Sequence, residues 1–217
     1  MGSQLPPSRW SFPSPEDAEP DGPVALGGDL EPSTLVEAYS RGLFPMPLGR
    51  RGELGWFSPD PRGILPVDGM HVSRTLRRSA RRLDTTVDTA FTDVMQACGD
   101  PSRPHGWITT QFVDAYTRLF DLGWAHSVEV WSEGELVGGV YGVAIGDFFA
   151  GESMFHTATD ASKVALWSLV NLLAGCGRPL LDVQWLTPHL ESLGAVEIPR
   201  SEYLQRLREA AGGSGCW

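Results

Sequence analysis

DFFAGESMFHTATDASK, residues 147–163, is the stretch from which the fold is read. Its first half is almost wholly apolar and predicts a strand over 148–155. A polar loop follows, and an apolar run then opens at Ala161 and continues to Ala174, apolar nearly all round, as a buried helix is. Glu152 and Ser153 interrupt the strand. A carboxylate in that setting costs roughly several kcal/mol unless it is paired or wetted. The plain reading is an ion pair with Lys163; the other is a functional site.

Working outward, residues 127–132 and 136–145 alternate with period 2 and predict two more strands. Glu133-Gly134-Glu135 and Gly146-Asp147 are the tight turns that join the three. Leu180–Trp185 predicts a fourth strand. Thr187-Pro188 caps a short helix that Gly194 ends, 195–198 predicts a last strand, and 201–210 a last helix. The order β-β-β-α-β-α-β implies an α+β fold: an antiparallel sheet with packed helices, compatible with the acetyltransferase-like (GNAT-like) layout.

In the fourth strand, alternation puts Leu181, Val183 and Trp185 on one face and Asp182 and Gln184 on the other. A carboxylate and an amide side by side can hold an amine and hydrogen-bond a reacting carbonyl. They are equally the polar face of a half-exposed strand.

Residues 1–62 read as a small loop-rich N-terminal domain, and 63–217 as the larger one. A helix is expected from Pro32 to Arg41, stopped at Gly42. The prolines at 45, 47, 59 and 61 predict extended pieces that are neither helix nor interior strand. Residues 72–83 predict a helix with Arg74, Arg77, Arg78, Arg81 and Arg82 on one face. Five arginines with no interleaved acid repel one another, so pairing within the helix does not account for them. A phosphate backbone does. Residues 88–98 and 110–122 predict two further helices with apolar stripes, and 212–217 a disordered tail.

The chain has 217 residues, 41% hydrophobic and 20% charged, which is ordinary for one large or two small soluble domains. No apolar run is long enough for a membrane span, and the first ten residues lack a signal-peptide core. Three cysteines, at 98, 176 and 216, suit a reducing cytoplasm and no disulfide framework. No Cys/His cluster has zinc spacing, so no metal site is expected. The net charge of −10 speaks against a nucleic-acid binder, unless the local arginine patch overrides the total.

Ten motifs taken in order resemble one family. LGGDL (26–30), AYSRGLFP (38–45), WFSPDPRGIL (56–65), WIT (107–109), AHSVEVW (125–131), LVGGVYGVA (136–144), GESMF (151–155), ASKVAL (161–166), DVQ (182–184) and HLESLGAVEIPR (189–200) are similar to those of the leucyl/phenylalanyl-tRNA–protein transferases. The resemblance implies transfer of Leu or Phe, with Met as a further donor, from aminoacyl-tRNA to the α-amino group of proteins beginning with Arg or Lys. Proteins so modified are marked for degradation. It implies no cofactor and no metal, a cytoplasmic location, no membrane partner, and a monomer. An aminoacyl ester is already activated, so positioning, worth roughly 7–11 kcal/mol, can carry the reaction.

Carried over residue by residue, the resemblance makes Asp182 the acid that orients the amine, Gln184 its hydrogen-bonding partner, and Glu152 the group that fixes the substrate or the acceptor's positive charge. Phe149, Met154, Leu166, Leu169 and Leu181 would line the aminoacyl pocket. Phe149 and Met154 fall on opposite faces of a regular strand, so a bulge is expected near Gly151. Tyr39, Met46 and Trp107 would meet the terminal adenosine, although the family usually has a tryptophan where this chain has Met46. Two other functions stay open: an acyl-CoA-dependent N-acetyltransferase, and a non-catalytic module that binds an N-terminal residue. The first should carry a pyrophosphate loop, and none precedes Ala161. The second has no need of Asp182, Gln184 or the arginine face.

Overall fold

In the computed structural model, residues 2–49, 52–103 and 107–217 are described. In chain order they form β1 (Pro23–Leu26), α1 (Pro32–Ser40), β2 (Phe44–Leu48), β3 (Glu53–Phe57), β4 (Arg62–Ile64), α2 (Arg74–Ala80), β5 (Asp84–Val87), α3 (Phe91–Cys98) and α4 (Thr110–Asp121). There follow β6 (Ala125–Ser132), β7 (Glu135–Ile145), β8 (Phe148–His156), α5 (Ala161–Leu173), β9 (Leu180–Gln184), α6 (Pro188–Ser192), β10 (Val196–Ile198) and α7 (Arg200–Ala211). The organisation is α+β, as the period-2 and period-3.6 segments imply. A seven-stranded sheet runs β10-β4-β9-β8-β7-β6-β5, and a three-stranded sheet runs β1-β3-β2.

The hairpins form where expected. Glu133 and Gly134 both have positive φ, 51° and 84°, the conformation that lets two residues join twisted antiparallel strands. One pair in the large sheet, β8–β9, is parallel, because α5 crosses over between them. Two apolar layers flank the sheet. One packs Leu166, Leu169, Val170 and Leu173 of α5 against Val128, Val140 and Phe149. The other packs Leu35, Tyr39, Phe112, Tyr116, Tyr203 and Leu207 against Tyr141, Val143 and Phe148.

Several expectations are corrected. The helix expected over 72–83 is only α2, capped by Ser73 accepting from Leu76 N at 3.1 Å. The next residues leave it to pair with β6, Asp84 opposite Trp131 and Val87 opposite Val128, so β5 extends the sheet. The helix expected from Asp88 starts at Phe91, because Asp88 takes φ 58° and accepts from Ser127 N. Proline does keep β2 at a sheet edge, but β4, directly after Pro61, lies between β9 and β10 as an interior strand. Arg62 can open it because the ring that lacks an N–H stands just outside the ladder.

The tail is held rather than loose. Cys176 is bonded to Cys216, against the expectation of no disulfide, with Cα atoms 5.6 Å apart. Asp147 accepts from Arg178 N and Gly215 N at 2.9 and 3.0 Å, fastening the chain beside each cysteine. Trp217 stacks on His126 and Phe149, with ring centroids 4.4 and 5.4 Å away.

Candidate active site

Strands β8 and β9 run paired from Phe148/Leu180 to Ala150/Asp182, and the ladder then stops. Each strand carries one extra residue just past that point. Gly151 and Ser153 face the consecutive residues Gly142 and Tyr141, which leaves Glu152 as the surplus residue of a bulge, near Gly151 as expected. On the other side, Gln184 and Asp182 face the consecutive residues Gly63 and Ile64, which leaves Val183 surplus. Gly142 is required here, since a Cβ on it would stand 2.0 Å from the Ala150 carbonyl oxygen. The two bulges bend the strands away from each other, and a cleft opens between them.

A cavity of about 140 Å³ occupies the cleft, lined by Val140, Gly151–Met154, Leu166, Leu181, Val183, Gln184 and Leu190. A dry apolar space of about 150 Å³ holds a benzene ring, so this one suits an isobutyl or benzyl group. Of the five side chains expected to line a pocket, Met154, Leu166 and Leu181 border it. Phe149 and Leu169 are wholly buried in the apolar layer and do not. Val140, Val183 and Leu190 had not been singled out.

Glu152 does not pair with Lys163, whose ammonium donates to Asp160 at 3.1 Å. Instead Tyr116 Oη donates to Glu152 Oε2 at 3.4 Å, and Tyr39 is hydrogen-bonded to Tyr116 behind it. The other oxygen, Oε1, is buried without a partner. Burial pushes this carboxyl up to about 8; the Tyr39 hydroxyl works against the rise, Asp182 adds to it, and Arg62 opposes it. Tyr39, Tyr116 and Tyr141 are held well above the usual phenol range, first by burial and then by the nearby Glu152.

Asp182 and Gln184 do not share a face. Asp182 is completely enclosed and turned away from the cavity. Its carboxylate accepts from Arg62 Nε at 2.8 Å, Arg62 Nη2 at 2.6 Å, Tyr203 Oη at 3.0 Å and Gln184 N at 3.0 Å. Arg62 is equally enclosed, donates also to Gly42 O, and lies over the rings of Phe44 and Tyr203. Burial works against its charge, but Asp182 more than offsets this and holds the guanidinium above its ordinary pKa. Gln184 takes φ 58° and borders the cavity. Its carboxamide meets the Gly151 carbonyl at 2.9 Å, the separation at which the side-chain nitrogen donates across the cleft. The turn at Gln184 also breaks the alternation, so Trp185 packs on Phe44 and Phe57 rather than beside Leu181 and Val183.

Of the residues expected to meet adenosine, Tyr39 is sealed in the core with its hydroxyl on Tyr116. Met46 is half-buried on β2, and Trp107 is half-buried and edge-on to Phe112. Arg74, Arg77 and Arg78 lie on α2, Arg81 is its C-cap and Arg82 follows; all five are exposed, and Arg77 sits over Trp167.

Arg62, Tyr116 and Tyr203 were not singled out from the sequence. The usable signal was Asp182 itself: a carboxylate between Leu181 and Val183 needs a cation, and Arg62 stands alone before the apolar Gly63-Ile64-Leu65.

Residues 64–208 match the family described as leucyl/phenylalanyl-tRNA protein transferase, and residues 28–60 match its N-terminal domain. Among curated relatives, the chain is 47% identical over 219 residues to a leucyl/phenylalanyl-tRNA–protein transferase of Tolumonas auensis, covering 97% of this chain and 93% of that one. It is 52% identical over 204 residues to one of Stutzerimonas stutzeri, covering 91% and 89%. Among solved structures, L-PGS from Bacillus licheniformis is similar at a TM-score of 0.41 and 15% identity, over 59% of this chain and 47% of that one. A GCN5-related N-acetyltransferase-like protein from Streptococcus suis is similar at a TM-score of 0.36 and 14% identity, over 76% and 64%.

Proposed function

The chain belongs to the leucyl/phenylalanyl-tRNA–protein transferase family, and from that premise we propose that it moves Leu or Phe from the 3′ end of tRNA to proteins whose first residue is Arg or Lys, so marking them for degradation. The acceptor's nitrogen attacks the ester carbonyl carbon. The new C–N bond forms, the bond to the ribose oxygen breaks, and the proton lost by nitrogen ends on that oxygen. An α-amino group titrates at about 7.7–8.0, so a useful minority of it is the free nucleophile near neutral pH. The leucyl or phenylalanyl side chain fills the cavity between Met154, Leu166 and Leu181. Glu152 receives the acceptor's positive charge on its open oxygen. Gln184, anchored through Gly151, presents its carboxamide to the ester. Asp182 acts one step back, as a positioning residue that holds Gln184's backbone and Arg62. The arginines of α2 take the tRNA phosphates.

The observation that carries this reading is the unpartnered Glu152 oxygen in a cleft otherwise lined by apolar side chains, Ser153 and the Gln184 amide. The test supplies labelled leucyl-tRNA and an Arg-initiated peptide without ATP or coenzyme A. Label reaching the peptide, and failing to reach one initiated by Glu, is the expected result. Label that never arrives removes the reading.

A further inference from the structure

The turn between β7 and β8, the loop after α5 and the C-terminal tail meet around one buried carboxylate. Asp147 belongs to the turn, is 2% exposed, and accepts from Arg178 N and Gly215 N. Its own N–H goes to Ala210 O at 2.8 Å and its carbonyl accepts from Leu180 N at 3.2 Å, so the backbone that carries it is fixed. A buried carboxylate is normally matched by a cation. Arg178, whose backbone N–H meets Asp147, turns its guanidinium to Glu209 instead. What faces the carboxylate is sulfur. Among the described residues, Asp147, Cys176 and Cys216 bring a carboxylate oxygen and two Sγ atoms within 4.8 Å of one another. A Cβ on Gly213 would stand 2.3 Å from Asp147 Cγ, so the tail closes over this group only because a glycine is there.

The same three side chains offer different chemistry in the two oxidation states. Oxidised, the sulfurs are joined. Reduced, they are two half-buried thiols still held in place, because the bonds from Arg178 N and Gly215 N to Asp147 pin the chain beside each cysteine without involving sulfur. The Cα separation of 5.6 Å lets side-chain rotation put both sulfurs on one ion about 2.3 Å away. Two thiolates and a carboxylate form a donor set that suits zinc, and zinc sites with three protein ligands keep a fourth position for water. The ligands come from separate segments, so no spacing motif announces them.

We propose that the reduced protein binds a thiophilic divalent cation, zinc in the first place, through Cys176, Cys216 and Asp147. None of the three borders the aminoacyl cavity, and the site stands independently of the transferase reading. Reaching it from the disulfide takes a reductant. A water-soluble phosphine opens the S–S bond and becomes its oxide, water supplying the oxygen and the two thiol protons. The cation then displaces both protons as it takes two thiolates.

The test uses the full chain, reduced with the phosphine, desalted without oxygen and titrated with cobalt(II). One equivalent should bind and give a thiolate-to-cobalt charge-transfer band, which zinc then removes. Cys216→Ser and Cys176→Ser should each lose most of the band, as should wild-type protein left oxidised, and Cys98→Ser should keep it. Asp147→Asn should weaken cobalt binding by about tenfold or more, the cost of losing even an outer partner of a metal ligand. Cys216 lies in the tail, so its variant keeps the test open even if Asp147→Asn fails to fold. Zinc should also raise the melting temperature of the reduced wild type and not that of Cys216→Ser. A reduced wild-type protein without the band, a Cys216→Ser variant that keeps it, or a folded Asp147→Asn variant that binds cobalt as tightly as wild type overturns the proposal. So does an equal rise in melting temperature for wild type and Cys216→Ser.

Discussion

Arg62 and Asp182 lie 120 positions apart in the chain and are joined by two hydrogen bonds, of 2.8 and 2.6 Å, where no solvent reaches either side chain. The pair ties the segment after Pro61 to the strand that carries Gln184. Taking one partner away leaves a buried charge unmatched, which costs about 3–5 kcal/mol. Asp182→Asn should therefore lower the urea midpoint sharply and slow transfer together. Arg62→Met combined with Asp182→Leu should regain much of the stability and little of the activity. A double variant as active as wild type would deny the pair any part in placing Gln184.

Gln184 bridges the cleft and borders the cavity, so Gln184→Ala should lower kcat by about 10- to 100-fold, the range that mispositioning at a reacting centre produces, with little change in donor KM. Steady-state kinetics over a range of aminoacyl-tRNA concentrations checks this. Equal changes in kcat/KM and tRNA affinity at unchanged kcat would make it a binding residue.

Glu152 carries a pH signature of definite sign. Its carboxyl titrates near 4.5 when unfolded and at about 8 in the fold. Between those values the folded protein keeps a proton that the unfolded chain has lost, so stability declines as pH rises from about 4.5 to about 8 and levels off above. Glu152→Gln should flatten that decline in a series of thermal melts. A cationic acceptor favours the ionised form, so binding an Arg-initiated peptide at pH 7 should release a proton. Calorimetry in buffers of different ionisation enthalpy measures the release, and none is expected from the Gln variant.

The exposed arginines at 74, 77, 78, 81 and 82 should make tRNA affinity steeply salt-dependent. Each phosphate contact removed lowers the slope of log K against log salt by about 0.7–0.9. Arg77, Arg78, Arg81 and Arg82 changed together to Ala should leave a visibly shallower slope in filter binding. An unchanged slope places the tRNA elsewhere.

Cys176 and Cys216 close a loop spanning 40 positions, and such a link typically stabilises by about 2–4 kcal/mol. Oxidised wild-type protein should melt higher than the same protein in reductant, and Cys216→Ser should melt alike in both. A reductant effect that persists in Cys216→Ser would point to another cause.

What the sequence revealed follows the range of the forces involved. The hairpins, α5 and the cap at Thr187 were legible because turn chemistry and periodicity act over a few residues. Glu152 was legible as an anomaly, and the bulge beside it from the mismatch between Phe149 and Met154. Arg62, Tyr203 and the disulfide were not, since each depends on a partner that only the folded topology brings near. The placing of Asp182 was misjudged for a related reason. Strict alternation holds only while a ladder is regular, and the surplus Val183 reverses the faces just where Gln184 and Trp185 emerge. Residues 84–87 carried no expectation, and it is their pairing with β6 that makes them a strand.

The cleft between β8 and β9 is held apart by counting rather than by bulk. Two supernumerary residues, Glu152 and Val183, keep the neighbouring ladders out of step. No swap of one side chain for another alters that tally, so the opening should survive wide chemical variation in its walls. A shortened strand is a different matter: losing one residue from either would let the ladder resume, and the space for a leucine or phenylalanine would zip shut.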